Sequence, residues 1–441
     1  MASVVSRVVK TVRNHWKKSV FGCVAVAYGT QYATNLYKTE TLRREYCQEA
    51  LKYGMKSIQL TQRPRKVMVF LNPAVSRGKG VKLFEKNAAP ILNLAGIQID
   101  VVKLEYEGQA KQLLTVLEKD ETDAIIVAGG DGTLLETVTG IMRKKDKAFC
   151  QNITLGVLPL GRTNRFARRL FGEDPNQVRF IMDAAMAVVE ATVKPVDVLE
   201  IKAEDGKDTY ALSGLQLGVY NDAEERKSKY WYFGPLKSRW TYLRTGMNKW
   251  PPDVKLDMEY IPAMVPLRIK RVLTEEKVKE IEQRNKWSLF SFFYKSRIPP
   301  KDEDYEEVYQ ITEEDWVKRE LSTVELTVMS SNYYEGVSPN KSLQIGIGPT
   351  SPSKTEVIEE GWRRIKSKSL LFGTEQNEHL KAHKIRLKPE KKEGQQMWFN
   401  VDGEAFESCP VEMTLLKNKL KMFWRQNPSY TTPLTVGTNA S

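Results

Sequence analysis

Residues 123–136 read Asp-Ala-Ile-Ile-Val-Ala-Gly-Gly-Asp-Gly-Thr-Leu-Leu-Glu. The apolar run Ala124 to Ala128 predicts a strand covered on both faces. Gly129-Gly130-Asp131-Gly132-Thr133 predicts a tight turn, and Leu134 to Lys144 predicts a helix behind it. Three glycines let a ligand approach the backbone closely. A helix that starts at such a turn offers free N–H groups, which suits phosphate oxygens. Asp131 stands among them. A carboxylate beside a phosphate is repulsive unless a divalent cation lies nearby, so Asp131 is a candidate for holding Mg²⁺, directly or through water.

The same grammar recurs on both sides. Val67-Met68-Val69-Phe70-Leu71 reads as a buried strand, ended by Asn72-Pro73, a loop from Ser76 to Gly80 and a helix from Val81 to Ala95. Ile97 to Val102 reads as a strand with a helix near Gly108 to Lys119. Leu155 to Leu158 reads as a fourth strand, followed by Pro159-Leu160-Gly161-Arg162-Thr163-Asn164 and another helix. Strand, loop and helix in repetition predict an α/β fold with a doubly wound parallel sheet. Such sheets bind ligands at the carboxyl ends of their strands, where all three polar loops fall. No GxxxxGK[ST] is present and no GxGxxG follows a strand, which argues against a P-loop enzyme and a dinucleotide-binding dehydrogenase.

At 441 residues the chain has room for two or three domains. Its net charge of +13 is uneven. Before Glu40 there is no acidic residue, while Arg7, Lys10, Arg13, Lys17, Lys18 and Lys38 are basic. A nucleic-acid-binding domain would spread its charge differently. The four cysteines contain no CxxC pair, which excludes a structural zinc finger and indicates no disulfide framework.

Val4, Val5, Val8, Val9, Val12, Trp16 and Val20 recur at helical spacing with the basic residues mostly between them. This predicts a basic amphipathic helix of the kind found in mitochondrial import signals and on anionic membranes. Residues 20–37 start apolar and are then diluted by Gln31, Thr34 and Asn35. As a helix of about 27 Å they fall just short of a bilayer core of roughly 30 Å. A membrane-associating segment is expected, with spanning and lying flat both open. Thr41 to Arg65 reads as a charged helical linker that Pro64 ends.

On Gly129 to Glu136 with Gly140, the chain resembles the diacylglycerol kinase and sphingosine kinase superfamily, whose core motif is GGDGTxxE with a downstream glycine. Asn72-Pro73 resembles the family's nucleotide loop, and Pro159-Leu160-Gly161 with Asn164 its third loop. Val401-Asp402-Gly403-Glu404 resembles the segment that carries the catalytic carboxylate. Leu215 to Asp222 resembles the segment whose acidic residue meets the lipid headgroup. There are departures: Arg162 stands where threonine is common, Val75-Ser76-Arg77 lengthens the first loop, and Leu104 replaces an expected hydroxyl.

The resemblance implies a second domain built mainly of β-sheet. Val196 to Lys202, Tyr210 to Leu217, Val324 to Ser330, Leu343 to Ile347, Lys384 to Leu387 and Trp398 to Val401 agree, being short and strand-like. The expected organisation is a targeting and membrane segment over 1–40, a linker over 41–65, a nucleotide-binding domain over 66–195, a β-rich lipid-binding domain over 196–425, and a tail over 426–441. Within the second domain a charged insertion is expected at about 262–320. It includes a helix over Ile269 to Lys286 and an acidic stretch over Pro299 to Asp315, which together would offer a partner surface.

The function implied is an ATP- and Mg²⁺-dependent lipid kinase that converts monoacylglycerol to lysophosphatidic acid and diacylglycerol to phosphatidic acid. Asn72, Gly129, Gly130, Asp131, Gly132, Thr133, Gly161 and Asn164 would hold the nucleotide and its metal. Glu404 would accept a proton from the lipid hydroxyl, and Asp222 would meet the headgroup. With only three histidines, none near these motifs, a carboxylate base is the natural choice. The alternatives are a sphingosine or ceramide kinase, an NAD kinase sharing the glycine loop, or a scaffold for an inner-membrane protein translocase. The location implied is the mitochondrial inner membrane, facing the intermembrane space.

Overall fold

The computed structural model describes residues 15–56, 63–118, 120–144, 146–161, 164–172, 176–204, 206, 208–247, 254–264, 268–273, 305–310, 315–333, 341–367, 377–390 and 397–425. The expectations for residues 1–14, for Arg162 and Thr163, for most of the charged insertion and for the tail lie outside these residues.

A single helix, α1 (Trp16–Gly54), opens the described chain. Val20 to Lys38 are exposed, whereas Tyr46 and Ala50 are buried in the first core. The Tyr46 hydroxyl donates to Asp183 at 2.7 Å and Arg43 Nε donates to Asn87 at 3.0 Å. The end of this helix, expected as a linker, is therefore a packed part of the nucleotide half. Among the described residues no helix is long and apolar enough to cross a membrane, because polar residues interrupt α1 after Tyr28.

The nucleotide half follows: β1 (Lys66–Leu71), α2 (Gly80–Asn87), α3 (Ala89–Leu94), β2 (Gln98–Lys103), α4 (Gln109–Val116), β3 (Ala124–Gly129), α5 (Asp131–Met142), β4 (Thr154–Pro159), α6 (Arg165–Phe171) and α7 (Gln177–Glu190). Its strands run parallel in the order β2-β1-β3-β4, with Val67 beside Ile99 on one flank and Ala124 on the other. Every residue of β3 is buried, as a central strand covered by helices on both faces requires. The order reverses at β1, so the loops after β1 and β3 flank the crevice where such sheets take ligands.

The second half is built of β5 (Val193–Ala203), β6 (Thr209–Ala211), β7 (Gly214–Gly218), α8 (Val219–Arg226), α9 (Lys237–Gly246), β8 (Val254–Pro262), β9 (Arg268–Leu273), β10 (Tyr305–Gln310), β11 (Val317–Thr323), β12 (Glu325–Met329), β13 (Leu343–Ile347), α10 (Lys354–Ser367), β14 (Glu378–Pro389), β15 (Trp398–Val401), β16 (Glu404–Glu407) and β17 (Val411–Phe423). Most of its sheet is antiparallel, in agreement with the expected β-rich half. One expectation is corrected. The start of the supposed helix at Ile269 lies in β9, which pairs antiparallel with β10. Ile269, Val272 and Leu273 keep a spacing that also suits a helix, so it is the pairing with β10, from Arg268 beside Gln310 to Leu273 beside Tyr305, that makes the segment a strand.

Strand β17 knits the halves together. Its first part pairs with β14 and β5, and its end pairs with β4 in the parallel sheet. The register shifts between Leu416 and Leu420, where Asn418 takes a left-handed φ of 53°. The buried carboxylate of Asp197 holds this bulge, accepting from Asn418 N at 2.7 Å and Lys341 Nζ at 2.9 Å. Helix α5 joins the two cores from the other side: Leu134, Val138 and Ile141 enter the first and Leu135 enters the second.

Candidate active site

The glycine loop after β3 is closed by two neighbouring loops. Asn72 follows β1; its amide Nδ2 donates to Thr133 Oγ1 at 3.0 Å, and its Oδ1 accepts from Ala74 N at 3.0 Å. The loop after β4 lies against Gly129 and Gly130. Gly161 N donates to Gly129 O at 2.9 Å, and a Cβ added to Gly161 would lie 3.1 Å from Gly130 N. That close approach requires glycine. Asn164 takes φ 45° and locks the turn, its amide accepting from Gly161 N at 3.1 Å and donating to Gly161 O at 2.6 Å. The loop after β1 bends through Ser76, Arg77 and Gly78 with positive φ at each, and Ser76 Oγ donates to Leu160 O at 2.6 Å.

Asp131 is buried at the start of α5. Its carboxylate accepts from Arg165 N at 2.9 Å and from Phe166 N at 3.4 Å, the first N–H groups of α6. A carboxylate at a helix start is favoured by both the free N–H groups and the helix dipole. Asp131 thus ties the third loop to the first turn of α5.

The second half reaches this loop through a turn. Asp402 has φ 48° and Gly403 φ 94°, both left-handed, which lets the chain reverse between β15 and β16. The buried Asp402 carboxylate accepts from Leu212 N at 2.7 Å, Ser213 N at 2.9 Å and Gly214 N at 2.9 Å. Burial raises its pKa to about 6 against the lowering by these three donors. So fixed, the turn abuts Asp131: a Cβ added to Gly403 would lie 3.6 Å from Asp131 Cβ. Glu404 then lies on Gly132, where an added Cβ would come within 2.7 Å of Glu404 Cδ. The structure therefore brings Glu404, Asp131, Gly132, Thr133, Asn72, Gly161 and Asn164 to one place.

The electrostatics there are negative. Loss of solvation raises the Glu404 pKa first, and the charges of Glu107, Glu136 and Asp131 raise it further. Glu136, one turn into α5, is itself raised by burial although it accepts from Gly108 N at 2.9 Å. Oxygen anions of this kind are the donors that Mg²⁺ prefers. Among the described residues no group of three or more His, Cys, Asp or Glu is arranged to hold an ion alone. A cation here would complete its shell with phosphate oxygens and water.

Asp222 is not brought into this cluster. It lies on α8, which starts at the end of β7 remote from Gly214, roughly 13 Å along the strand. Burial raises its pKa to about 6, and Arg226 at 3.6 Å opposes the shift. Two of the three histidines, His379 and His383, lie on β14. Three contacts join these residues in ways that no motif states: the Arg165 and Phe166 amides on Asp131, the Asp402 carboxylate on the amides of residues 212–214, and Gln216 of β7 accepting from Arg165 Nη1 at 3.1 Å. Only the placement of α6 at the end of a glycine turn hinted at the first.

The diacylglycerol kinase catalytic domain model matches residues 66–201, and the acylglycerol kinase C-terminal model matches residues 212–431. The mitochondrial acylglycerol kinase of Xenopus laevis is 39% identical over 423 residues, covering 95% of each chain. That of Homo sapiens is 38% identical over 429 residues, covering 94% of this chain and 95% of its own. A solved structure of a putative diacylglycerol kinase from Bacillus anthracis str. Sterne is similar in fold, with a TM-score of 0.50 at 20% identity. That likeness covers 84% of this chain and 100% of the other.

Proposed function

This chain belongs to the acylglycerol kinase family and is an ATP-dependent lipid kinase, and we propose that it phosphorylates monoacylglycerol to lysophosphatidic acid and diacylglycerol to phosphatidic acid. The observation that carries the site assignment is the seat of Glu404 on Gly132, which joins a carboxylate of one half to the glycine loop of the other.

Phosphoryl transfer requires a positioned γ-phosphate, offset of its charge and a nucleophile relieved of its proton. The backbone from Gly129 to Thr133 and the Asn72 amide position the phosphates, with Gly161 and Asn164 closing the loop above them. Mg²⁺ fits beside Asp131 and the neighbouring glutamates, and when bound it offsets phosphate charge. Both Asp131 oxygens already accept N–H groups, which favours contact through water. Glu404 takes the proton of the glycerol hydroxyl as that oxygen attacks phosphorus in line. The new P–O bond forms as the bond to the bridging oxygen breaks, and ADP leaves. Asp222, on the helix that follows β7, would meet the headgroup before it reaches Glu404.

The relatives named mitochondrial, together with the acid-free basic start of this chain, support a mitochondrial location; we infer that the enzyme works there at the inner membrane, facing the intermembrane space. Any docking to inner-membrane translocase subunits would be separable from catalysis: Asp131→Asn should stop phosphorylation and leave such docking intact. The deciding experiment offers radiolabelled ATP with monoacylglycerol, diacylglycerol, sphingosine and ceramide in parallel. Label in lysophosphatidic and phosphatidic acids supports the reading. Label confined to the sphingoid products would overturn it in favour of a sphingosine or ceramide kinase.

A further inference from the structure

The chain from Lys227 to Met247 carries five basic residues, six aromatic ones and no acid. It forms a kinked 3₁₀ segment over Lys227–Leu236 and then α9. Several of its large apolar side chains face water. Trp231 is 77% exposed, Tyr232 62%, Leu236 60% and Met247 63%, and Trp362 of α10 is exposed beside them. Among the basic residues, Lys229, Arg239 and Arg244 are exposed.

These rings form a preassembled platform. Phe233 stacks on Trp240 with centroids 4.6 Å apart, Tyr232 lies 4.8 Å from Phe233, and Trp231 meets Tyr232 edge-on at 6.2 Å. The platform is held from below. Trp362 Nε1 donates to Arg239 O at 3.2 Å, and the buried Tyr242 hydroxyl donates to Glu224 at 3.0 Å. Arg364 lies over the Tyr220 ring at 3.9 Å and makes paired bonds of 2.7 and 2.6 Å to Glu325. Exposed rings therefore sit on a rigid base, where a merely flexible loop would carry no such underlying network.

Tryptophan and tyrosine among lysine and arginine suit the interface of a bilayer, where the rings lie at headgroup depth. A stretch with basic residues and no acid is complementary to anionic lipid. We propose that residues 227–247, with Trp362, form a face that seats the enzyme on an anionic bilayer, separately from α1. Helix α8 connects this face directly to β7, whose other end lies at the Asp402 turn. A lipid held there would keep its chains in the membrane while its headgroup moves toward Glu404, so the inference rests in part on the acylglycerol reading.

The test uses the full chain and vesicles of phosphatidylcholine with and without phosphatidylserine. Trp231→Ser with Leu236→Ser should lower the vesicle-bound fraction constant by about tenfold on both. Lys229→Glu with Arg239→Glu should lower it by about tenfold on anionic vesicles and little on neutral ones. Brominated acyl chains should quench wild-type fluorescence more than that of Trp231→Phe, a conservative change that keeps the fold. Phosphorylation of vesicle-borne monoacylglycerol should fall in the first variant, while that of a dispersed short-chain monoacylglycerol stays unchanged. Unchanged vesicle binding with equal quenching in Trp231→Phe overturns the proposal. A changed oligomeric mass with unchanged vesicle binding overturns it too, in favour of a protein contact. A wild type that binds vesicles through Trp231 but phosphorylates neither acylglycerol would count against the substrate assignment and leave this face standing.

Discussion

The carboxyl of Glu404 rests on Gly132, so that the turn between β15 and β16 and the glycine loop after β3 touch through one side chain and one missing side chain. Neither residue could make this contact alone. Asp402 holds the turn by accepting three backbone N–H groups, and α5 holds the loop by packing into both cores.

Gly132→Ala should separate them. The added methyl would fall within 2.7 Å of Glu404 Cδ, which must move aside. The φ of Gly132 is not left-handed, so the helix start is not strained. Turnover should drop by roughly a hundredfold, as a displacement of about 1 Å at the reacting group can cause. Melting temperature should change little, and nucleotide affinity should fall much less than turnover, because the methyl meets Glu404 while the loop keeps its backbone N–H groups. Steady-state kinetics beside a thermal melt checks this, and full turnover would count against the contact.

Glu404 titrates in company. Its pKa is raised by lost solvation and by Glu107, Glu136 and Asp131. A base must be deprotonated, so activity should fall as pH drops through that raised value. Glu136→Gln removes one repelling charge, lowers the Glu404 pKa and should move the acid limb of kcat to lower pH. An unmoved limb in the pH profile would mean that another group sets it.

The Asp402 clamp is a stability feature as well. Asp402→Ala leaves three backbone donors without their acceptor in a buried site. Each unsatisfied buried donor costs about 1–3 kcal/mol before relaxation, so denaturant unfolding should shift clearly to lower midpoint. The folded-state pKa of about 6 lies above the ordinary carboxylate value. For such a group, its contribution is greatest at acid pH and declines as pH rises through about 6. Asp402→Asn, which keeps one acceptor oxygen, should destabilise less than alanine, and the gap between wild type and variant should widen below that pH.

Arg364 makes the other strong prediction. It is buried, bonded to Glu325 at 2.7 and 2.6 Å and to Glu360 at 2.8 Å, and stacked on Tyr220. Arg364→Ala would leave the buried Glu325 carboxylate unpaired, while Glu360 keeps Arg363 at 2.6 and 2.7 Å, at a cost of about 3–5 kcal/mol. Equilibrium unfolding of the purified variant measures it directly; a loss below about 1 kcal/mol would mean that water replaces the guanidinium.

Much of this was readable in the sequence. Strands β1, β3 and β4 are buried on both faces, so they appear as unbroken apolar runs, and the glycines of 129–132 mark the turn that follows. The turn at Asp402-Gly403 was equally plain. Strand β17 was not, because Lys417-Asn418-Lys419 interrupts its alternation at the bulge that Asp197 secures. Strand β8 was readable in principle: Val254, Leu256 and Met258 are buried and alternate with exposed Lys255 and Asp257. What no local pattern encodes is partnership. The amides of Leu212, Ser213 and Gly214 gain an acceptor from a residue far along the chain, and Asp131 finds the start of α6 only once β4 lies beside β3.

The most direct test is a single-turnover measurement with radiolabelled ATP and monoacylglycerol, comparing wild type with Glu404→Gln. Loss of the base should slow label transfer by about 10²–10⁴-fold, with nucleotide affinity held within a factor of about two. Transfer at the wild-type rate, or an equal loss of nucleotide binding, would contradict the role given to Glu404.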